Sequence, residues 1–217
     1  IYYGMTSLVD HNIGRVMDAL KETGLDENTC VIFLSDHGDY VGDYGLLGKG
    51  FHHDCIIRTP LLMKGPGIPA GETLDGVASV VDIVPTILDM LDIDEPEGVQ
   101  GASMLEAVQG VGELPRGGVL TENDDDMGRI KARTLTTGNW KITVYANQTL
   151  GELYDRKNDP DERNNLWHEN AFFDVKQHLT SIMLNELLCS FDVSNSRCQE
   201  PKPELIKWLP DKNAGYS

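Results

Sequence analysis

Three short stretches of this sequence carry side chains able to bind a cation or an oxyanion. The first is Ser35-Asp36-His37-Gly38-Asp39, where a carboxylate and an imidazole are adjacent and a glycine follows. Both are metal-ligand types, and Gly38 frees the backbone to turn so that the two side chains can converge. The second is Lys49, in a loop punctuated by Gly42, Gly45, Gly48 and Gly50. Its ammonium is a compact charge suited to neutralising an oxyanion. The third is His52-His53-Asp54, by residue type a second acid–base or metal group. Each has a structural alternative: Asp36 can cap the turn after it with His37 at the surface, Lys49 can be a solvated charge, and Asp54 can cap the start of an element.

These residues need elements to position them. Leu8, Ile13, Val16, Met17 and Leu20 recur at helical spacing from about Thr6 to Thr23, with Gly24 where a left-handed cap belongs. The apolar run Cys30–Leu34 then predicts a strand buried on both faces, of the kind found in parallel sheets. Asp36 and His37 therefore stand at the carboxyl end of a strand, where open α/β sheets gather ligands. Thr59–Lys64 reads as a second strand, Ser79–Leu91 as a helix with Asp82 and Pro85 near its start, and Asp92–Gly118 as a loop with one short helix. Beyond that hinge come short strands at Gly118–Thr121, Lys131–Thr136, Trp140–Tyr145 and Glu152–Tyr154, which predict a small antiparallel sheet. An amphipathic helix over Ala171–Leu188 and a polar tail from Asp192 complete the chain. The expected fold class is α/β in two parts, residues 1–117 and 118–217.

Composition narrows the function. Acidic residues number 35 against 18 Lys and Arg, and the net charge of −17 opposes binding to nucleic acid or anionic membranes. An anionic substrate would need local positive charge from its own site. No run of apolar residues is long enough to span a membrane. The chain starts at Ile1 without a Met and reads as a fragment. Cys30 and Cys55 read as core thiols, while Cys189 and Cys198 are near enough to pair across a short loop.

Taken in order, Tyr2-Tyr3-Gly4-Met5, Val9-Asp10, Gly14-Arg15, Ser35-Asp36-His37-Gly38-Asp39, Gly48-Lys49-Gly50, Arg58-Thr59-Pro60-Leu61 and Gly65-Pro66-Gly67 resemble the second half of the sulfatase catalytic domain, in the alkaline phosphatase superfamily. Thr137-Gly138-Asn139-Trp140-Lys141 and Glu152-Leu153-Tyr154-Asp155, with Asn158-Asp159-Pro160-Asp161-Glu162 and Asn164-Asn165-Leu166, resemble that family's C-terminal subdomain. The resemblance implies a partial alkaline-phosphatase-like sheet with flanking helices, followed by the small antiparallel sheet packed with a terminal helix.

It also implies chemistry. Asp36 and His37 become two ligands of a divalent cation, calcium in this family, and Lys49 becomes the catalytic contact to the sulfate oxygens. His52 lies near a pocket histidine of some relatives and is carried as a substrate-binding residue, whereas Asp54, Arg58 and Asp159 are read as structural. The family's nucleophile is a formylglycine made from the Cys or Ser of a Cys/Ser-x-Pro/Ala-x-Arg motif, and no such motif occurs here. The expected activity is that of a sulfuric ester hydrolase acting on a sulfated small molecule or glycan. Phosphodiester or phosphonate monoester hydrolysis and a non-catalytic binding module are the alternatives. Two ligands are few for calcium, which takes six to eight oxygens. A strand edge left open at Leu34 is one that a second copy of the chain could cover.

Overall fold

In the computed structural model, residues 1–125 and 130–190 are described. Helix α1 spans Tyr2–Glu22. It ends where Gly24 adopts φ +70° and the Leu25 N–H reaches the Leu20 carbonyl at 3.0 Å, a closure that glycine makes without steric cost. No residue of α1 is buried, and Leu8 and Val16 of the expected apolar stripe are more than half exposed. Strand β1, Val31–Leu34, pairs with β2, Leu61–Lys64.

This pairing corrects the parallel-sheet expectation. β1 and β2 run antiparallel, Val31 opposite Lys64, and among the described residues β2 is the only partner of β1. Val31 to Phe33 are half-buried and Leu34 is exposed, because β1 has one strand beside it and no covered α1 face above it. Cys30 is likewise exposed and not a core thiol.

Helix α2, Asp54–Ile57, sits between the two strands in sequence. A 3-10 turn at Val80–Asp82 leads into α3, Ile83–Met90, with Pro85 in its first turn, where a missing N–H costs nothing. Ser79 and Asp82 form a reciprocal capping box, and the fully buried Asp82 carboxylate also takes the Ala102 N–H and the Arg116 guanidinium. One side chain thus ties the long loop after α3 to the helix. The short helix of that loop is α4, Leu105–Val108.

Strands β3 (Gly118–Asp125), β4 (Ile130–Thr137), β5 (Trp140–Tyr145) and β6 (Gly151–Asp155) form a meander in sequence order, antiparallel throughout. Alternation gives it two unlike faces. Leu135, Ile142 and Leu153 face helix α5, Phe173–Ser190, and pack with its Leu179 and Met183 as the main apolar core. The opposite face carries Thr134, Thr136, Lys141, Thr143 and Tyr154, all buried and mostly polar. What lies on that polar face is the segment around α2. Cys198 and the tail from Asp192 lie outside the described residues, as does the expected Cys189–Cys198 pairing.

Candidate active site

Asp36 and His37 leave the end of β1 together. The Asp36 carboxylate accepts the His37 N–H at 2.8 Å, which, more than any nearby charge, holds its carboxyl below the usual range. The His37 ring pairs through Nδ1 with the Gly38 carbonyl at 2.8 Å, so the proton sits on Nδ1 and the Nε2 lone pair is presented outward. At Nε2 meet the Lys49 ammonium, at 2.6 Å, and an Asp36 oxygen, at 3.2 Å. Two adjacent residues and a lysine twelve positions beyond His37 thus converge on one point.

Close packing enforces this corner. A Cβ on Gly38 would lie 1.9 Å from the Cys55 carbonyl oxygen, and the Gly38 N–H donates to Ile56 O at 2.7 Å. Glycine is required by the approach of α2. Lys49 is held from both sides. Upstream, Gly48 donates to Asp39 and accepts from the Tyr40 N–H; downstream, the Asn123 amide of β3 donates to Gly50 O at 2.7 Å. Gly48 and Gly50 have φ of +75° and +136°, a turn that β-carbon-bearing residues resist.

The cluster meets part of what a divalent cation needs. A metal-binding histidine usually donates its other ring N–H to a carbonyl, as His37 does to Gly38, and the two donor atoms of Asp36 and His37 are close enough to share one ion. No group of three or more His, Cys, Asp or Glu able to hold a metal occurs among the described residues. Asp36 and His37 fit as part of a coordination sphere and do not complete one.

The third stretch is built differently from the first two. His52 is 5% exposed, and its Nδ1 pairs at 2.7 Å with Thr134 of β4, itself paired with Thr143. Burial, helped by Lys141, pushes the His52 imidazole down to about 4, so it is neutral at pH 7. None of its hydrogen bonds reaches Asp36, His37 or Lys49. The neighbouring His53 pairs with the Tyr40 hydroxyl at 2.7 Å and stacks on Tyr44 with ring centroids 4.1 Å apart.

Asp54 opens α2 in a buried ion network. Its carboxylate takes Lys141 Nζ at 3.1 Å and Arg156 at 3.1 Å; burial alone would raise it, but these two cations outweigh burial and hold it low. Lys141 is wholly buried and pairs also with Glu162, whose Oε2 accepts the Asp54 N–H. Burial pushes Glu162 up to about 7 despite that lysine. Asp159 caps its own turn, accepting the Arg163 and Asn164 N–H groups. Lys141, Arg156 and Glu162 were not among the residues picked out by type and spacing. The one sequence signal, for Lys141 alone, is a lysine that alternates with Thr143 on the side of β5 opposite Ile142.

Comparison with known proteins gives a consistent picture. The family model described as Sulfatase matches residues 1–93. The chain is 34% identical over 194 residues to the uncharacterized sulfatase YidJ of Escherichia coli, covering 85% of this chain and 37% of that protein. It is 31% identical to arylsulfatase K of Homo sapiens over 225 residues, 100% of this chain and 41% of that one. The chain therefore spans about two fifths of the length of the curated relatives it matches. Among solved structures it is similar to BT4656 in complex with its substrate D-glucosamine-2-N,6-O-disulfate, with TM-score 0.76, 29% identity, and coverage of 82% and 37%. It is also similar to the phosphonate monoester hydrolase of Agrobacterium radiobacter, with TM-score 0.79, 28% identity, and coverage of 88% and 41%.

Proposed function

This chain belongs to the sulfatase family, and from that premise we propose that it supplies part of the active site of a sulfuric ester hydrolase. The observation that carries the reading is the convergence of Asp36, His37 and Lys49 at the end of β1. In a chain of net charge −17, the Lys49 ammonium is positive charge placed beside a carboxylate and an imidazole, where it can bind a sulfate oxygen and offset charge gathering on the leaving ester. Asp36 and His37 would hold a divalent cation, calcium by resemblance, with the remaining ligands from outside this chain. Such a cation, when bound, polarises the sulfate oxygens. His37 presents the Nε2 lone pair, and the Gly38 carbonyl fixes its ring and tautomer. The formylglycine nucleophile and the substrate contacts that distinguish one sulfate ester from another would also lie outside residues 1–217. His52 supports substrate binding by fixing the backbone after Lys49.

Phosphonate monoester hydrolysis is the second reading, favoured by the likeness to the Agrobacterium enzyme, since the same three groups suit a phosphoryl oxyanion. A substrate panel on the protein at its relatives' length separates them. Turnover of an aryl sulfate well above that of a phenylphosphonate ester or a phosphodiester supports sulfuric ester hydrolysis. The reverse ranking favours the second reading.

A further inference from the structure

We propose that the buried polar face of the β3–β6 sheet is the bed that positions Lys49, with Lys141 as its central positioning residue and Asn123 as its second anchor. This rests on the reading of Lys49 as an oxyanion contact, but its geometry stands independently. Asn123 fixes Gly50, one residue after Lys49, and Lys141 Nζ donates to the His52 carbonyl at 2.7 Å, two residues further on. The same ammonium grips Asp54 and Glu162, the two groups that set the start of α2. α2 in turn delivers the Ile56 carbonyl to the Gly38 N–H, beside His37. Lys141 therefore bears on both members of the Lys49–His37 contact from the far side of the segment, without touching either.

The chemistry of this bed is unusual for a structural contact. The other face of this sheet buries helix α5 with apolar side chains alone, since a helix satisfies its own backbone, whereas a loop leaves backbone groups that a polar face can hold in place. Here a lysine with no exposed surface is held between the carboxyl groups of Asp54 and Glu162, polar groups whose burial carries a desolvation cost. Unlike apolar packing, directional bonds to one carbonyl and two carboxylates fix the loop in rotation and register. Thr134 adds a further directional contact through the His52 ring.

The test is competitive acetylation of native lysines, read by peptide mass spectrometry on the intact protein. The double replacement Lys141→Met/Glu162→Gln removes both charges together, so that no buried carboxylate loses its only cation, and Asn123→Ala releases Gly50 alone. In each variant the labelling rate of Lys49, relative to the exposed Lys21 and Lys64, is expected to rise by about threefold, because the loop that carries it loses an anchor and opens more readily to the reagent. Aryl sulfate turnover should lose kcat by about tenfold with KM little changed. Folded variants with an unchanged Lys49 labelling rate, whatever their melting temperature, would overturn the proposal. If the double variant does not fold, Asn123→Ala decides by the same criterion. Labelling does not depend on turnover, so a protein that cleaves no sulfate would fail the functional reading and leave this one testable.

Discussion

At the scale of single residues, the surroundings remove the freedom of the groups on which the site depends. Gly38 has no room for a β-carbon against Cys55 O, so Gly38→Ala must push α2 away from β1. The expected cost is about 2–3 kcal/mol in a chemical unfolding experiment, with loss of the His37–Lys49 contact. His52 makes a second prediction. Its folded value of about 4 lies below the ordinary 6.5, so the unfolded chain takes up the proton first and stability falls as pH drops from 6.5 towards 4. Glu162 acts in the opposite sense, since its value of about 7 lies above the ordinary 4.5 and its protonation favours the folded state as pH falls through that range. The two partly cancel in the wild type. In His52→Gln the acid loss of stability should be reduced, by at most about 3 kcal/mol over the window, as read from unfolding midpoints between pH 4 and 7. Parallel curves for the two proteins would show that His52 is not held neutral.

Elements combine these residues, and here the buried ion network can be tested as a unit. Lys141→Met alone removes the cation paired with Glu162, leaving a buried carboxyl that must either stay charged unpaired or take up a proton, and should cost more stability than Lys141→Met/Glu162→Gln, which removes both partners. A double replacement as damaging as the single one would mean that Glu162 does not depend on Lys141. Much of this architecture was legible in the sequence. The helix before Gly24, the strands over 118–155 and the final helix follow from apolar period and turn residues, whereas type and spacing mark Asp36, His37 and Lys49 only as candidates with structural alternatives, and their proposed roles come from the family resemblance. Two things were not. The run Val31–Leu34 says that a strand is apolar and says nothing of its partner's direction, which is antiparallel. The alternation in Lys141-Ile142-Thr143 marks two unlike faces, but a polar face under water and a polar face under a loop read alike in sequence. The loop over residues 50–57 decides that, and it comes from some eighty positions away.

At the scale of the whole molecule, one apolar core, between the β3–β6 sheet and α5, is closed within the chain, and other apolar surfaces are not. Leu8 and Val16 of α1, Leu62 of β2 and Val84 of α3 are each more than half exposed. In relatives more than twice as long, further chain is available to cover them. The chain expressed alone should therefore bind a hydrophobic dye strongly, and the protein at its relatives' length weakly, measured by dye fluorescence at equal molar concentration. Equal binding would mean that these faces are solvent-facing by design. If Lys49, with Asp36 and His37, serves a sulfate ester, this should be plainest in kcat/KM on an aryl sulfate for the intact protein and its Lys49→Ala variant. The expected result is a loss of about a hundredfold or more, with a folded protein and an unchanged circular dichroism spectrum. Undiminished turnover in that variant would contradict that role.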